Sequence, residues 1–103
     1  MSQDIIYTDS AIVDKLVQHF SNYKEDGHAG DYFYDLFFKN ILQRKKVEIP
    51  LKVLEPVWNI LPSQKHMFRR LISQAIIKFL KQNRPAYVID GLIAEEHVDW
   101  EVV

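Results

Sequence analysis

The side chains best suited to chemistry in this sequence are the polar and basic residues between Ser63 and Asn83. At 100° per residue, they occupy one half of the helix predicted for this segment. Such side chains reach phosphates and base edges from a recognition helix. The candidate nucleic-acid contacts are Lys65, His66, Arg69, Arg70, Gln74, Lys78 and Lys81. They predict the recognition of a polyanion by charge and hydrogen bonds rather than a covalent reaction.

Signatures of catalysis and metal binding are absent from the sequence. No glycine-rich loop could hold phosphates, no serine lies in a Gly-x-Ser-x-Gly motif, and the four histidines are scattered. Cysteine is absent, which excludes disulfides and thiolate metal sites. Glu95, Glu96, His97 and Asp99 form one cluster of hard ligands, but adjacent acids in a tail are usually solvated surface. We therefore expect no enzyme, no metal and no cofactor.

A long helix must position the polar residues, and its opposite half is apolar. That half is predicted to pack as the centre of the fold, and the helix would be roughly 30 Å long. Its members are Phe68, Leu71, Ile72, Ala75, Ile76, Phe79 and Leu80. Met67 and Ile77 interrupt the polar half, and an apolar residue among cations suits a contact with a protein. Together with Trp100 in the acidic tail, they are the candidate partner-binding residues.

Charge is segregated along the chain, although the net charge is only −1. Residues 39–84 carry eleven Lys/Arg and two acids, whereas residues 1–38 and 85–103 each have a net charge of −5. Two explanations stand side by side. Either the acidic flanks fold against the basic middle and neutralise it, or the middle offers a cationic surface to nucleic acid or an acidic protein.

Two further helices are predicted before the basic middle. The first is capped by Thr8, Asp9 or Ser10 and has one apolar face, with Gly27 as its left-handed terminator. The second is capped by Asp31 and extends to Lys46, where Arg44, Lys45 and Lys46 would complement the helix dipole. Apolar residues cover about two thirds of this helix, which favours a central position or a homodimer joined through residues 31–46.

The segment before the long helix, together with that helix, has the pattern of a helix-turn-helix. Residues 47–53 alternate as a short extended segment, Glu55-Pro56 suits a helix start, and Pro62-Ser63 separates a helix at 57–61 from the long one. A strand at 86–89, a turn at Asp90-Gly91 and an alternating strand at 98–103 would add the β element of a winged version.

These patterns predict a single helical domain over residues 1–103. It is mainly α, with three to four helices and a small C-terminal β element of winged-helix outline. No signal peptide or apolar run of about 20 residues is found, so we expect a cytoplasmic protein. The leading functional hypothesis is a small DNA-binding or regulatory protein that uses the basic face of helix 63–84. The alternative is a protein-interaction module, such as an inhibitor, adaptor or immunity-type protein.

Overall fold

A computed structural model of the protein describes residues 8–83 and 98–103. The helices of this part are α1 (Asp9–Asn22), α2 (Tyr32–Leu42), α3 (Leu51–Leu54) and α4 (Lys65–Asn83), with a 3-10 helix (Glu55–Ile60) between α3 and α4. Strands β1 (Val47–Ile49) and β2 (Trp100–Val102) form a two-stranded parallel sheet. The prediction of a mainly helical fold with a small C-terminal β element is confirmed.

Helix α4 supplies much of the core, as its apolar half predicted. Six of the seven predicted residues are fully buried: Leu71, Ile72, Ala75, Ile76, Phe79 and Leu80. The ring of Phe79 lies 5.9 Å from that of Phe20 in α1 and 6.0 Å from that of Phe37 in α2, both edge-on. Phe68 is only partly buried, because it lies in the first turns of α4 beside an open groove. All buried residues of the described part are apolar.

Helix α1 begins as predicted but ends earlier. The Thr8 hydroxyl accepts a hydrogen bond from the Ala11 amide at 3.1 Å, which satisfies one free amide of the first turn. The helix ends at Asn22, because Tyr23 adopts an extended conformation. The prediction that Gly27 terminates this helix is therefore wrong. Gly27, with φ of 81°, shapes a turn in the following loop instead.

Helix α2 is capped by Asp31, as predicted, since its carboxylate accepts from the Tyr34 amide at 3.3 Å. It ends at Leu42 rather than Lys46, because Arg44 has a φ of 58° and turns the chain towards β1. Arg44, Lys45 and Lys46 consequently lie outside the helix. Phe33, Phe37 and Ile41 are buried in the core. Packing within one chain thus uses much of the apolar arc that predicted a homodimer.

The C-terminal tail forms a half-buried strand, as its alternation predicted. Trp100 pairs with Val47 and Val102 with Ile49, and the Val47 amide donates to the Asp99 carbonyl at 2.8 Å. Val47, Ile49 and Trp100 are buried. Parallel strands need a crossover connection, here one that includes α4, so this sheet is not the hairpin of a wing. The strand predicted at 86–89 and the turn at Asp90-Gly91 lie outside the described residues.

Side-chain contacts attach the end of α1 to α3. His19 Nε2–H donates to the carbonyl oxygen of Val53 at 2.6 Å. The Glu25 carboxylate accepts from Tyr23 Oη at 2.7 Å and from Lys52 Nζ at 3.0 Å. The hydrogen bond to Glu25, together with burial, raises the pKa of Tyr23 from 10.0 to about 12. The same two donors lower the pKa of Glu25 below its usual value.

Candidate docking groove and the basic face of α4

An apolar groove lies where the 3-10 helix meets the first turns of α4. It encloses about 580 Å³, which is within the range of pockets that hold small ligands or side chains of a partner. Its lining residues are Trp58, Leu61, Pro62, Ser63, Lys65 and Phe68. We call this surface the Trp58 groove. Most of its wall is apolar, and Lys65 supplies its formal charge.

The local sequence explains why this groove is open and ordered. Pro56 lies in the first turn of the 3-10 helix and Pro62 lies two residues after its end, so the backbone is restricted near both ends of this short element. Val53 and Leu54 just before it are fully buried and attach it to the core. No residue of the 3-10 helix itself is buried. The element therefore holds Trp58 at the surface on a rigid support.

Three aromatic rings connect this surface to the core. Trp58 is 48% exposed and contacts Phe68 edge-on, with their ring centroids 5.6 Å apart. Phe68 in turn lies 5.9 Å from the ring of Trp100, which is 1% exposed. The first pair is edge-to-face and the second is tilted, and such aromatic contacts stabilise the orientation of each ring. The wall of the Trp58 groove is thus fixed by contacts that continue to β2.

The predicted nucleic-acid contacts divide into two groups, and the first group is engaged within the protein. Arg70 forms an ion pair with Asp9 at 2.7 Å, and Lys78 forms one with Asp14. Both acids belong to α1, which packs along α4. The expectation that acidic flanks fold against the basic middle is confirmed for these pairs and for Lys46 with Glu101, at 3.7 Å.

Arg69 has a different role from a surface cation. Its guanidinium lies 4.4 Å from the centroid of the Trp100 ring and donates to the Trp100 carbonyl oxygen at 2.9 Å. The indole Nε1–H of Trp100 donates to Ser73 Oγ at 2.8 Å. Together these contacts attach β2 to α4, in addition to the packing of the ring.

The remaining four predicted contacts lie outside these pairs, and Arg70 and Lys78 are themselves exposed. Lys65, His66 and Lys81 are exposed, and Gln74 is half-buried. Of these four residues, Lys65 lines the Trp58 groove. The seven predicted contacts therefore differ in their surroundings, because acids of α1 pair with Arg70 and Lys78 and Trp100 of β2 holds Arg69.

The three predicted partner-binding residues are less accessible than the sequence suggested. Trp100 is buried beneath Arg69, which removes it from any surface that a partner could reach. Ile77 packs partly against the core, and Met67 is half-buried. The helix has more than one packed side, because α1 and α2 pack against it and Trp100 of β2 contacts Arg69. An exposed aromatic anchor is found instead at Trp58.

Trp58 was not among the residues predicted to form a site. One signal in the sequence could have identified it. A segment of only five residues between Pro56 and Pro62 contains valine, tryptophan, isoleucine and leucine, too many for so short an element to bury at once. Which of them stays exposed depends on the packing of α3 and α4, which the sequence pattern does not give.

A second groove of about 360 Å³ lies between α1 and the 3-10 helix. It is more polar than the Trp58 groove, and its lining includes Lys15, His19 and Asn59. His19 already donates to Val53 there. This groove lies between two elements of the fold, and polar and apolar atoms share its lining about equally.

Searches of the chain for other kinds of site and for relatives gave negative results. Among residues 8–83 and 98–103, no group of three potential ligands could hold a metal ion, and no helix is long and apolar enough to cross a bilayer. The predicted cluster of Glu95, Glu96 and His97 lies outside the described residues. Comparison with models of protein families, with curated proteins and with solved structures gave no match.

Proposed function

We propose that the protein is a small interaction module that binds a segment of a protein partner in the Trp58 groove. The observation that supports this most strongly is Trp58 itself, a large aromatic residue left 48% exposed beside an apolar cavity of about 580 Å³. Tryptophan is enriched among the residues that dominate binding energy at interfaces, particularly where it adjoins a pocket.

The rigidity of the groove supports the same function. Pro56 and Pro62 restrict the backbone beside Trp58, and Phe68 contacts its ring. A surface that is ordered before binding loses little conformational entropy when a partner docks. An apolar anchor of a partner helix or extended segment could then occupy the cavity between Trp58 and Phe68.

Binding to DNA is the competing proposal, and it is less well supported. Arg70 and Lys78 are paired with Asp9 and Asp14, and such pairs reduce the positive potential that a phosphate backbone needs. Exposed Lys65 and His66 remain as candidate contacts. A role in regulation, a homodimer joined through α2 and a cytoplasmic location also remain proposals.

The test is selection from a library of random peptides of about 12 residues displayed on phage. Clones are selected on the parent protein and rescreened on the Trp58→Ala variant. Leu51→Ala is the matched control, because Leu51 is 44% exposed but does not line the groove. We expect clones that bind the parent and the Leu51→Ala variant but do not bind the Trp58→Ala variant. Circular dichroism confirms that each variant is folded.

A second measurement separates this function from DNA binding. Fluorescence anisotropy with a random DNA duplex at about 50 mM salt tests the phosphate contacts, whose affinity falls steeply as salt rises. If no peptide clone depends on Trp58 while the duplex binds with a steep salt dependence, the interaction proposal is refuted and the nucleic-acid proposal is favoured.

A further inference from the structure

The electrostatics of the Trp58 groove indicate what kind of segment it binds. Resting on the proposed function, we infer that the partner segment is acidic, with an apolar anchor in the cavity and at least one carboxylate beside Lys65. The inference comes from the charges around the groove, which are distributed unevenly over the described residues.

The groove is built by residues 56–83, which include the 3-10 helix after Glu55 and all of α4. They contain five Lys/Arg and no aspartate or glutamate. A surface built from such a segment has a positive potential unless acids from elsewhere in the chain approach it.

Acids from elsewhere in the chain approach α4 on one side. Asp9 and Asp14 of α1 pair with Arg70 and Lys78, along the side of α4 that packs against α1. Lys65 and Arg69 form no ion pair with a carboxylate in the described part of the chain. These two cations lie on either side of Phe68 in the sequence, and Phe68 lines the cavity. The charges of Lys65 and Arg69, beside the groove, are therefore not neutralised by an ion pair with a described carboxylate.

Of the two cations beside the groove, Lys65 is the one that can reach a ligand. Arg69 is held by the ring and carbonyl oxygen of Trp100, so its guanidinium has a fixed position. Lys65 is exposed, lines the groove and has a flexible four-carbon stem. Its ammonium group can contact a carboxylate next to an anchor that fills the cavity. Arg69 adds a longer-range attraction, which acts within a Debye length of about 8 Å at physiological salt.

An acidic protein segment fits these features better than a nucleic acid does. The cavity wall is mostly apolar and includes two aromatic rings, and it offers one flexible cation rather than a row of cations spaced for successive phosphates. A helix with apolar anchors on one face and carboxylates beside them would pack its anchors against the apolar wall and pair a carboxylate with Lys65. Such a helix is the expected occupant.

The test analyses the peptides selected on the parent protein. Clones that require Trp58 should be enriched in Asp and Glu next to an aromatic residue or leucine. For a synthetic copy of one such clone, Lys65→Gln should weaken binding about two- to fivefold, the effect of one exposed charge pair. Lys45→Gln is the control, because Lys45 is exposed but does not line the groove. It should leave the affinity unchanged.

The possible outcomes separate this inference from the proposed function. Clones that require Trp58 but show no excess of acids, or that bind Lys65→Gln as tightly as the parent, would overturn the acidic partner while leaving the docking groove in place. Failure to obtain any clone that requires Trp58 would overturn both. Tight binding of random duplex DNA that is lost in Lys65→Gln would show that a polyanion, not an acidic protein segment, is the ligand.

Discussion

The two tryptophans of the chain should respond very differently to truncation. Trp100 is 1% exposed and Trp58 is 48% exposed, although their rings are connected through Phe68. If Trp100 is part of the core and Trp58 is part of a binding surface, Trp100→Ala should destabilise the protein much more than Trp58→Ala. The comparison tests the assignment of both residues at once.

The expected magnitudes follow from the buried areas. An aromatic side chain buries about 150–250 Å², which at about 25 cal/mol per Å² contributes roughly 4–6 kcal/mol. Allowing for residual burial in the unfolded chain reduces this to about 3–5 kcal/mol, the usual cost of Trp→Ala in a core. We expect that cost for Trp100. Trp58 buries about half as much surface and solvent fills its place, so we expect about 1–2 kcal/mol.

Urea unfolding followed by circular dichroism measures both values. The m-values of the variants should match that of the parent, so that midpoints report stability rather than a change in the unfolded state. Trp58→Ala should remain folded, because a small domain has about 5–15 kcal/mol of stability. Equal losses for the two variants, or a loss below about 1 kcal/mol for Trp100→Ala, would refute the reasoning.

Three further predictions concern charge, pH and assembly. Replacing Asp9 and Asp14 by asparagine should lower the free energy of unfolding by less than about 1 kcal/mol per ion pair, because these pairs are exposed. The same change should raise the affinity for random duplex DNA. Anisotropy that shows no gain in affinity would contradict the masking of the basic face by these acids. Because the folded pKa of Tyr23 lies above its unfolded value of 10.0, stability should be lost as pH rises from 10 towards about 12, and urea unfolding of Tyr23→Phe should lack that part of the loss. If the protein is a homodimer joined through α2, light scattering at high micromolar concentration should give twice the monomer mass of 12.2 kDa. A measured mass of one monomer would refute the homodimer.

The features that the sequence predicted correctly depend on neighbours along the chain. The apolar half of α4 repeats at helical spacing from Phe68 to Leu80, so its buried residues could be named in advance. The alternation from Val98 to Val102 predicted β2 for the same reason. Asp31 was a recognisable cap and Thr8 was one of three candidates, because a short polar side chain precedes an amphipathic run at each site.

The features that the sequence did not predict depend on residues far apart. Asp9 and Arg70 are 61 positions apart, and Asp14 and Lys78 are 64, so no local pattern indicates which cations are neutralised. The exposure of Trp58 likewise depends on how the 3-10 helix packs beside α4. The early end of α2 results from the left-handed conformation of Arg44, which is uncommon for a residue other than glycine.

The most direct test of the docking groove is the affinity of one selected peptide for three forms of the protein. A fluorescent copy of the peptide is titrated with the parent, Trp58→Ala and Leu51→Ala, and anisotropy gives each Kd. Loss of an anchoring tryptophan removes at least about 2 kcal/mol of binding energy, so Trp58→Ala should bind roughly thirtyfold more weakly, with Leu51→Ala unchanged. Binding of folded Trp58→Ala within about twofold of the parent would contradict the groove as the docking site.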